Sequence, residues 1–227
     1  MNINNFNKIF CLHCVDNKER YITTQQQFKK IGILDKITYR LSTLQPASNI
    51  YKILHLHNDA EYHCTREHYT MIKMSYLLNY DYILIFEDDI KLIKKDLWDI
   101  FMNNIPDNFD ILRLMGFGPN KYHYEKLFNN EIYWTPLNQQ LWSTGAYALS
   151  RKGMKYYMNY IEKQYCQADV PLYDITSINK NQLNCYISTL PLSHFYEYTS
   201  TIQKKDMNEL MRFQNMFYNG INKEIYE

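Results

Sequence analysis

Tyr82-Ile-Leu-Ile-Phe-Glu-Asp-Asp-Ile90 is the stretch on which the fold turns. Its apolar half, Tyr82 to Phe86, runs without a break into Glu87, Asp88 and Asp89. An uninterrupted apolar run bounded by charge is what a parallel strand covered on both faces requires. Side chains alternate along a strand, so Glu87 and Asp89 are expected on one side and Asp88 on the other. Open α/β sheets bind ligands in the crevice outside the carboxyl ends of their strands. Three carboxylates packed there repel one another unless a cation or hydrogen-bond donors compensate. A hard divalent ion such as Mg²⁺ or Mn²⁺ takes carboxylate and phosphate oxygens together, and it would neutralise a diphosphate leaving group. The competing reading is a solvated acidic turn that caps the next helix.

Upstream, Lys8 to Val15 reads as a strand, and Asp16 or Asn17 is a good N-cap for a helix running to Ile31, with Gly32 as its C′ residue. A second short strand, Lys36 to Arg40, completes a β-α-β opening, the sequence form of an α/β nucleotide-binding fold. Asn58 and Glu61 form a capping-box-like start. Cys64, His68, Met71, Ile72, Tyr76 and Leu77 then recur near a 3.6 period, predicting a helix to about Asn79. Downstream the pattern predicts a helix over Lys95 to Asn104 and a strand over Asp110 to Leu114, followed by a loop with Gly116 and Gly118. Strands follow over Glu131 to Trp134 and Trp142 to Ser150, with Ser150 capping a helix to Lys163. Asp169 to Lys180 reads as helical, Asn184 to Thr189 as a strand, and the tail from Gln203 as an amphipathic helix. Neither a repeat nor a linker composition interrupts residues 1–227, so a single domain is expected.

The 227 residues are 46% apolar and 22% charged, enough to bury a proper core. Twenty-five basic residues against 24 acidic ones remove the electrostatic case for a dedicated nucleic-acid binder. No apolar run approaches the roughly 18 residues of a membrane span, and Met1 to Lys8 lacks the pattern of a secretory signal. Five cysteines, odd in number, do not form a disulfide framework and point to a reducing compartment such as the cytoplasm. Cys11-Leu-His-Cys14 has the spacing of half a zinc site, but it lies within an apolar strand where free Cys packs as a small apolar residue. The chain is rich in Tyr (22), a flat side chain with a polar tip that suits a sugar or base site; compositional drift explains the same count. Leu210, Met211, Phe213, Met216 and Phe217 give the tail an apolar face. Packing on its own domain is the default for that face; a peripheral membrane contact or a second subunit are the other occupants it suits, so the oligomeric state stays open.

The order of these features resembles glycosyltransferase family 25, the group of bacterial lipooligosaccharide and collagen galactosyltransferases. The resembling pieces are Ile9-Phe-Cys-Leu with Asp16-Asn-Lys-Glu-Arg20, Cys64-Thr-Arg-Glu-His68, and the Tyr82 to Ile90 stretch. Gly145-Ala-Tyr-Ala-Leu-Ser-Arg-Lys-Gly153, Ala168-Asp169, Pro191-Leu-Ser-His194 and Ser200-Thr-Ile202 follow in order. The resemblance implies an α/β GT-A fold with a mixed central sheet, divided into a nucleotide-binding half (1–115) and an acceptor half (116–227). It also implies a UDP-sugar donor, UDP-galactose in the best-known members, and transfer with inversion to a glycan hydroxyl in surface-glycan (lipopolysaccharide, lipooligosaccharide or capsule) synthesis.

On that resemblance Glu87-Asp88-Asp89 stands where the family's DxD-type motif holds Mn²⁺ and the donor diphosphate. Asp89 is expected as the direct metal ligand, and Glu87 as a contact to ribose or to metal-bound water. Asp88 is grouped with the donor-binding residues and assigned to the helix that follows, and His194 would complete the metal shell. Inversion needs a base for the acceptor hydroxyl, and Asp169 is the candidate, with Asp174 the alternative if the alignment slips. Arg20, in the first turn of its helix, would hold donor phosphate, and Ser143, Thr144 and Gly145 would let the backbone approach the donor sugar. His68 reads as a hydrogen-bonded core residue, while Trp142 and Tyr147 read either as stacking platforms or as core. The rival functions are a nucleotidyltransferase-type metal enzyme and a catalytically silent carbohydrate-binding protein of the same fold.

Overall fold

The computed structural model describes residues 1–43, 54, 56, 58–116, 132–195 and 223–226. In chain order these build β1 (Lys8–Cys14), α1 (Lys18–Ile31), β2 (Ile37–Ser42), α2 (Asp59–Leu77) and β3 (Tyr82–Glu87). Then come β4 (Ile90–Leu92), α3 (Lys95–Asn103), β5 (Ile111–Arg113), β6 (Trp134–Pro136) and β7 (Ala146–Ser150). The described chain continues through α4 (Arg151–Lys163), α5 (Val170–Tyr173), α6 (Ile175–Lys180), β8 (Cys185–Ser188) and β9 (Ser193–Phe195).

Seven strands form one sheet in the order β2-β1-β3-β7-β5-β8-β6. β1 pairs in parallel with both β2 and β3, so the β-α-β opening lies where the sequence puts it. β7 then runs antiparallel to β3 and to β5, which makes the sheet mixed, as expected for the α/β fold. A second, two-stranded sheet pairs β4 with β9, antiparallel, through Ile90–Phe195, Lys91–His194 and Leu92–Ser193.

The central run is apolar at every position because it divides its side chains between two cores. Leu84 and Phe86 join Cys11, Phe28, Trp98 and Phe101 on one face, beneath α1 and α3. Ile83 and Ile85 join Ile72, Tyr147, Met154 and Tyr157 on the other, beneath α2 and α4. The Phe86 ring lies 5.2 Å from that of Phe28 and 6.2 Å from that of Trp98. Ile83 through Phe86 are fully buried, and at roughly 1.5–3 kcal/mol for each such side chain this strand anchors the sheet.

Helix ends follow their capping residues. Gly32 closes α1 in the left-handed region at φ 77°, where a side chain would be strained. The Asn58 side chain accepts from the Glu61 N–H at the start of α2 (3.0 Å), and Ser150 accepts from the Gly153 N–H at the start of α4 (3.2 Å). Several expectations are corrected. Asn17 makes no side-chain cap bond at α1, and Leu77 is exposed on α2 rather than part of its buried face. The strand expected from Trp142 is confined to Ala146–Ser150, and the one expected to end at Trp134 begins there. Asp169 to Lys180 is two short helices broken at Asp174. Gly118, Ser200 to Ile202 and the amphipathic tail over 208–218 lie outside the described residues.

Candidate functional site

Strand alternation decides the direction of Glu87, the last residue of β3. Asp88 and Asp89 lie in the turn beyond it, where both reach Arg20, so the expected division with Asp89 on the side of Glu87 does not follow from alternation. Glu87 continues the Ile83 and Ile85 face and points beneath α2, where its Oε1 accepts from His68 Nε2 (3.1 Å) and from the Thr144 hydroxyl. The Cys64 thiol lies 3.8 Å from the same oxygen, one helical turn from His68 on α2. His68 is fully buried, and its Nδ1 lies 2.7 Å from the Tyr147 hydroxyl. Burial and the charge of Glu87 hold that phenol well above its ordinary range, so Tyr147 keeps its proton and its hydroxyl shares a hydrogen bond with Nδ1, while the Nε2–H of His68 donates to Glu87. Burial alone would raise the Glu87 carboxyl, but the His68 and Thr144 bonds outweigh it and hold the group below the ordinary carboxylate range. His68 is thus the hydrogen-bonded core residue that its apolar helix face suggests. Tyr147, buried completely, presents no ring face to a ligand, which corrects the stacking expectation.

Asp88 continues the Leu84 and Phe86 face. Its Oδ2 accepts from His13 Nδ1 (2.6 Å) and the Cys14 N–H (3.0 Å), and Arg20 Nη1 lies 3.4 Å from Oδ1. Thr24 donates to the Asp88 carbonyl at 2.7 Å. Asp88 therefore ties the end of β3 to β1 and to α1, which precedes it, and does not serve the following helix. Its carboxylate is already filled with donors from the chain itself.

Asp89 has no such set. Arg20 Nη1 stands 3.7 Å from Oδ2, while Oδ1 is buried with no hydrogen-bond partner among the described residues. Burial first, then the charge of Glu87, push its carboxyl up to about 8, with Arg20 pulling the other way. A buried carboxylate oxygen left without a partner is a hard, under-compensated donor of the kind that suits a divalent cation of the Mg²⁺ or Mn²⁺ type.

The opposite wall is a loop held from within. Arg113 ends β5 fully buried and donates to four carbonyls: Leu141 (3.0 Å), Trp142 (3.0 Å), Ser143 (2.8 Å) and Leu172 (3.1 Å). Ser143 is thereby held at φ 112°, an uncommon conformation for a residue other than glycine. Its N–H donates to Asp169 Oδ2 (3.1 Å), and its hydroxyl accepts from the Gly145 N–H (2.9 Å). Gly145 O in turn accepts from the Glu87 N–H (2.9 Å), so this loop and the acidic motif are hydrogen-bonded neighbours.

Asp169 makes no side-chain cap bond to α5. Burial raises its carboxyl above the ordinary value; the Ser143 N–H and Arg113 oppose that rise, and Glu87 adds to it. Asp174 is a helix cap: Oδ1 accepts from the Ser177 N–H (3.1 Å) and Oδ2 from the Tyr160 hydroxyl (2.7 Å). These bonds outweigh desolvation and hold Asp174 below its ordinary range.

The structure thus brings Arg20, Glu87, Asp88, Asp89, Ser143, Thr144, Gly145 and Asp169 to one end of the sheet. The backbone of His194 pairs with Lys91, two residues beyond Asp89. Two contributors escaped sequence reasoning. His13 sits inside the Cys11–Cys14 strand, and its position on the same face as Asp88 was a readable signal. Arg113 offers no signal, because its four acceptors lie 28 to 59 residues away. All five cysteines are free, and among the described residues Cys11 and Cys14 join no metal-ligand cluster. No helix among the described residues is long and apolar enough to cross a membrane.

Solved structures resemble the chain at low identity. A glycosyltransferase involved in the glycosylation of the major capsid of PBCV-1 matches with TM-score 0.42 and 9% identity, over 92% of this chain and 98% of that one. The galactosyltransferase LgtC, in complex with donor and acceptor sugar analogs, matches with TM-score 0.41 and 9% identity, over 96% and 98%. CMP:2-keto-3-deoxy-manno-octonic acid synthetase, complexed with CTP, matches with TM-score 0.41 and 8% identity, over 79% and 88%. No curated protein matches the chain in sequence. The family model for Glycosyltransferase family 25 (LPS biosynthesis protein) matches residues 17–172, a span that contains Arg20, the Glu87-Asp88-Asp89 motif, the Ser143 loop and Asp169, and the chain belongs to that family.

Proposed function

We propose that this chain transfers a hexose, galactose in the first instance, from a UDP-sugar to a glycan hydroxyl with inversion, in surface-glycan synthesis. Family membership supports the reaction class, and the GT-A assignment rests on that membership together with the mixed sheet. The observation that carries the reading is the buried, unpartnered Oδ1 of Asp89 at the carboxyl end of the central strand. Asp89 and Glu87 would hold Mn²⁺ or Mg²⁺, with His194 as a third ligand from β9. When bound, the cation supplies neutralising charge to the departing diphosphate.

The remaining work falls to the chain's own groups. His68, oriented by Tyr147, and Thr144 fix the Glu87 carboxylate in its ionised form. Arg20 gives the donor phosphates a guanidinium already braced by Asp88. Arg113 holds the Ser143–Gly145 loop close to Glu87, where bare backbone can approach the donor sugar. Asp169 accepts the acceptor hydroxyl proton as that oxygen bonds to the anomeric carbon and the bond from that carbon to the diphosphate breaks, releasing UDP. Burial makes Asp169 a stronger base than an exposed carboxylate. Five free cysteines suit a cytoplasmic setting, in which a membrane-borne acceptor would be met at the inner face.

A panel of UDP- and GDP-sugars, incubated with the protein and Mn²⁺ or with EDTA, tests the reading. Release of UDP from UDP-galactose with Mn²⁺ and none with EDTA is expected. Formation of a sugar nucleotide from a nucleoside triphosphate and a sugar phosphate would replace it with nucleotidyl transfer. Sugar binding without turnover, unchanged in Asp89→Ala, would replace it with a silent binding protein.

A further inference from the structure

We infer that Cys64, His68 and Glu87 form a second metal site, one for Zn²⁺-type ions rather than for the oxygen-seeking cation at Asp89. One ligand atom from each residue lies within 4.8 Å of the other two. His68 Nε2 is 3.1 Å and Cys64 Sγ 3.8 Å from Glu87 Oε1. A tetrahedral zinc with bonds of about 2.3 Å to sulfur and about 2.0 Å to nitrogen or oxygen separates its ligand atoms by about 3.3 to 3.5 Å. The observed separations bracket those edges, so small side-chain adjustments seat the ion.

The donor set selects the metal. Thiolate and imidazole favour zinc, cobalt and their neighbours over Mg²⁺ or Mn²⁺. The α2 spacing places Cys64 and His68 one turn apart on the same face, above the end of β3. The supporting shell exists as well. On binding, the Cys64 thiol proton leaves to water and His68 adopts its Nδ1–H tautomer. It then donates to the Tyr147 hydroxyl, now 2.7 Å away, while Nε2 turns its lone pair to the metal. The ion takes Glu87 from the transfer machinery. That consequence rests on the proposed transferase reading, and zinc is then expected to suppress Mn²⁺-supported UDP release.

Co²⁺ titrated into the full-length, metal-free protein tests the site without reference to turnover. One equivalent per chain should produce a thiolate-to-cobalt charge-transfer band in the near ultraviolet. The band should vanish in Cys64→Ser and persist in Cys14→Ser, and Tyr147→Phe should weaken cobalt affinity by about 10- to 100-fold. Should Cys64→Ser fail to fold, stoichiometric Zn²⁺ should protect Cys64 of the wild type from alkylation, read by peptide mass spectrometry. No band, a band that follows Cys14, or an unprotected Cys64 overturns the site. A band in a protein that turns over no UDP-sugar keeps the zinc site and removes only the transferase reading.

Discussion

Replacing Asp89 by Asn converts the electrostatics of the acidic motif into a stability measurement. In the metal-free protein, burial and then the neighbouring Glu87 charge hold the Asp89 carboxyl at about 8, from an ordinary 3.8. Above about pH 4 the unfolded chain has released this proton, whereas the folded chain keeps it to about pH 8. The folded state therefore binds the extra proton throughout that window, and stability falls as pH rises by about 1.4 kcal/mol per unit. From pH 5 to pH 7 the loss from this one group is about 3 kcal/mol. With a urea dependence of roughly 1–3 kcal/mol per molar, the midpoint should drop by on the order of 1 M. Asn cannot ionise, so the variant lacks this slope, and the difference between the two proteins reads Asp89 together with the neighbouring Glu87 carboxyl whose charge acts on it. Saturating Mn²⁺ should flatten the wild-type profile, because it binds the ionised folded form, and should leave the variant unchanged. Urea denaturation at half-unit pH steps, with and without Mn²⁺, reads all four curves. Parallel wild-type and Asp89→Asn profiles between pH 5 and 7 would refute the reasoning.

Asp169→Asn keeps an oxygen for the Ser143 N–H, so its fold should persist while turnover falls by about 10²- to 10⁴-fold; Asp174→Ala should instead cost about 1 kcal/mol of stability as a lost cap, with turnover changed by less than about twofold. Thermal melts paired with UDP release separate the two acids. Arg113→Lys cannot reach four carbonyls with one ammonium. Each carbonyl left bare costs about 1–3 kcal/mol, so both the melting temperature and kcat should fall, the latter because the Ser143 loop loses its clamp. In Gly153→Ala the new Cβ would stand 2.0 Å from the Asp110 carbonyl oxygen, so backbone must move. A loss of about 1–3 kcal/mol or more is expected, measurable as a melting temperature lower by about 2–4 °C per kcal/mol.

The central strand could be read from sequence because both of its faces are buried, which leaves Tyr82 to Phe86 no polar position and makes the break at Glu87 abrupt. Capping chemistry made Asn58, Ser150 and Gly32 readable as well, since each satisfies its helix end locally. The direction of β7 was not readable: antiparallel pairing with β3 follows from where distant segments dock, and not from Ala146–Ser150 itself. The β4–β9 ladder escaped for a related reason, as three residues carry too little periodicity to mark a strand. Within the site, the acids announced themselves by type and place. Their division of labour did not, because Asp88 is filled by His13 and Arg20 from 68 to 75 residues away, while Asp89 is left open. In the sequence the resemblance alone favours Asp169 over Asp174, with Asp174 left as the alternative. Only the Tyr160 hydroxyl and the Ser177 N–H, which both bind Asp174, distinguish the cap from the acid beside Ser143.

The central claim is that a divalent cation binds where β3 ends, between Asp89 and Glu87, and there meets the donor diphosphate. Anomalous diffraction at the manganese edge, from crystals grown with Mn²⁺ and UDP, locates the ion directly. A single strong peak within bonding distance of an Asp89 carboxylate oxygen and of the UDP phosphates is the expected result. Nucleotide bound with the manganese peak elsewhere, and Asp89 Oδ1 still without a partner, would contradict the account.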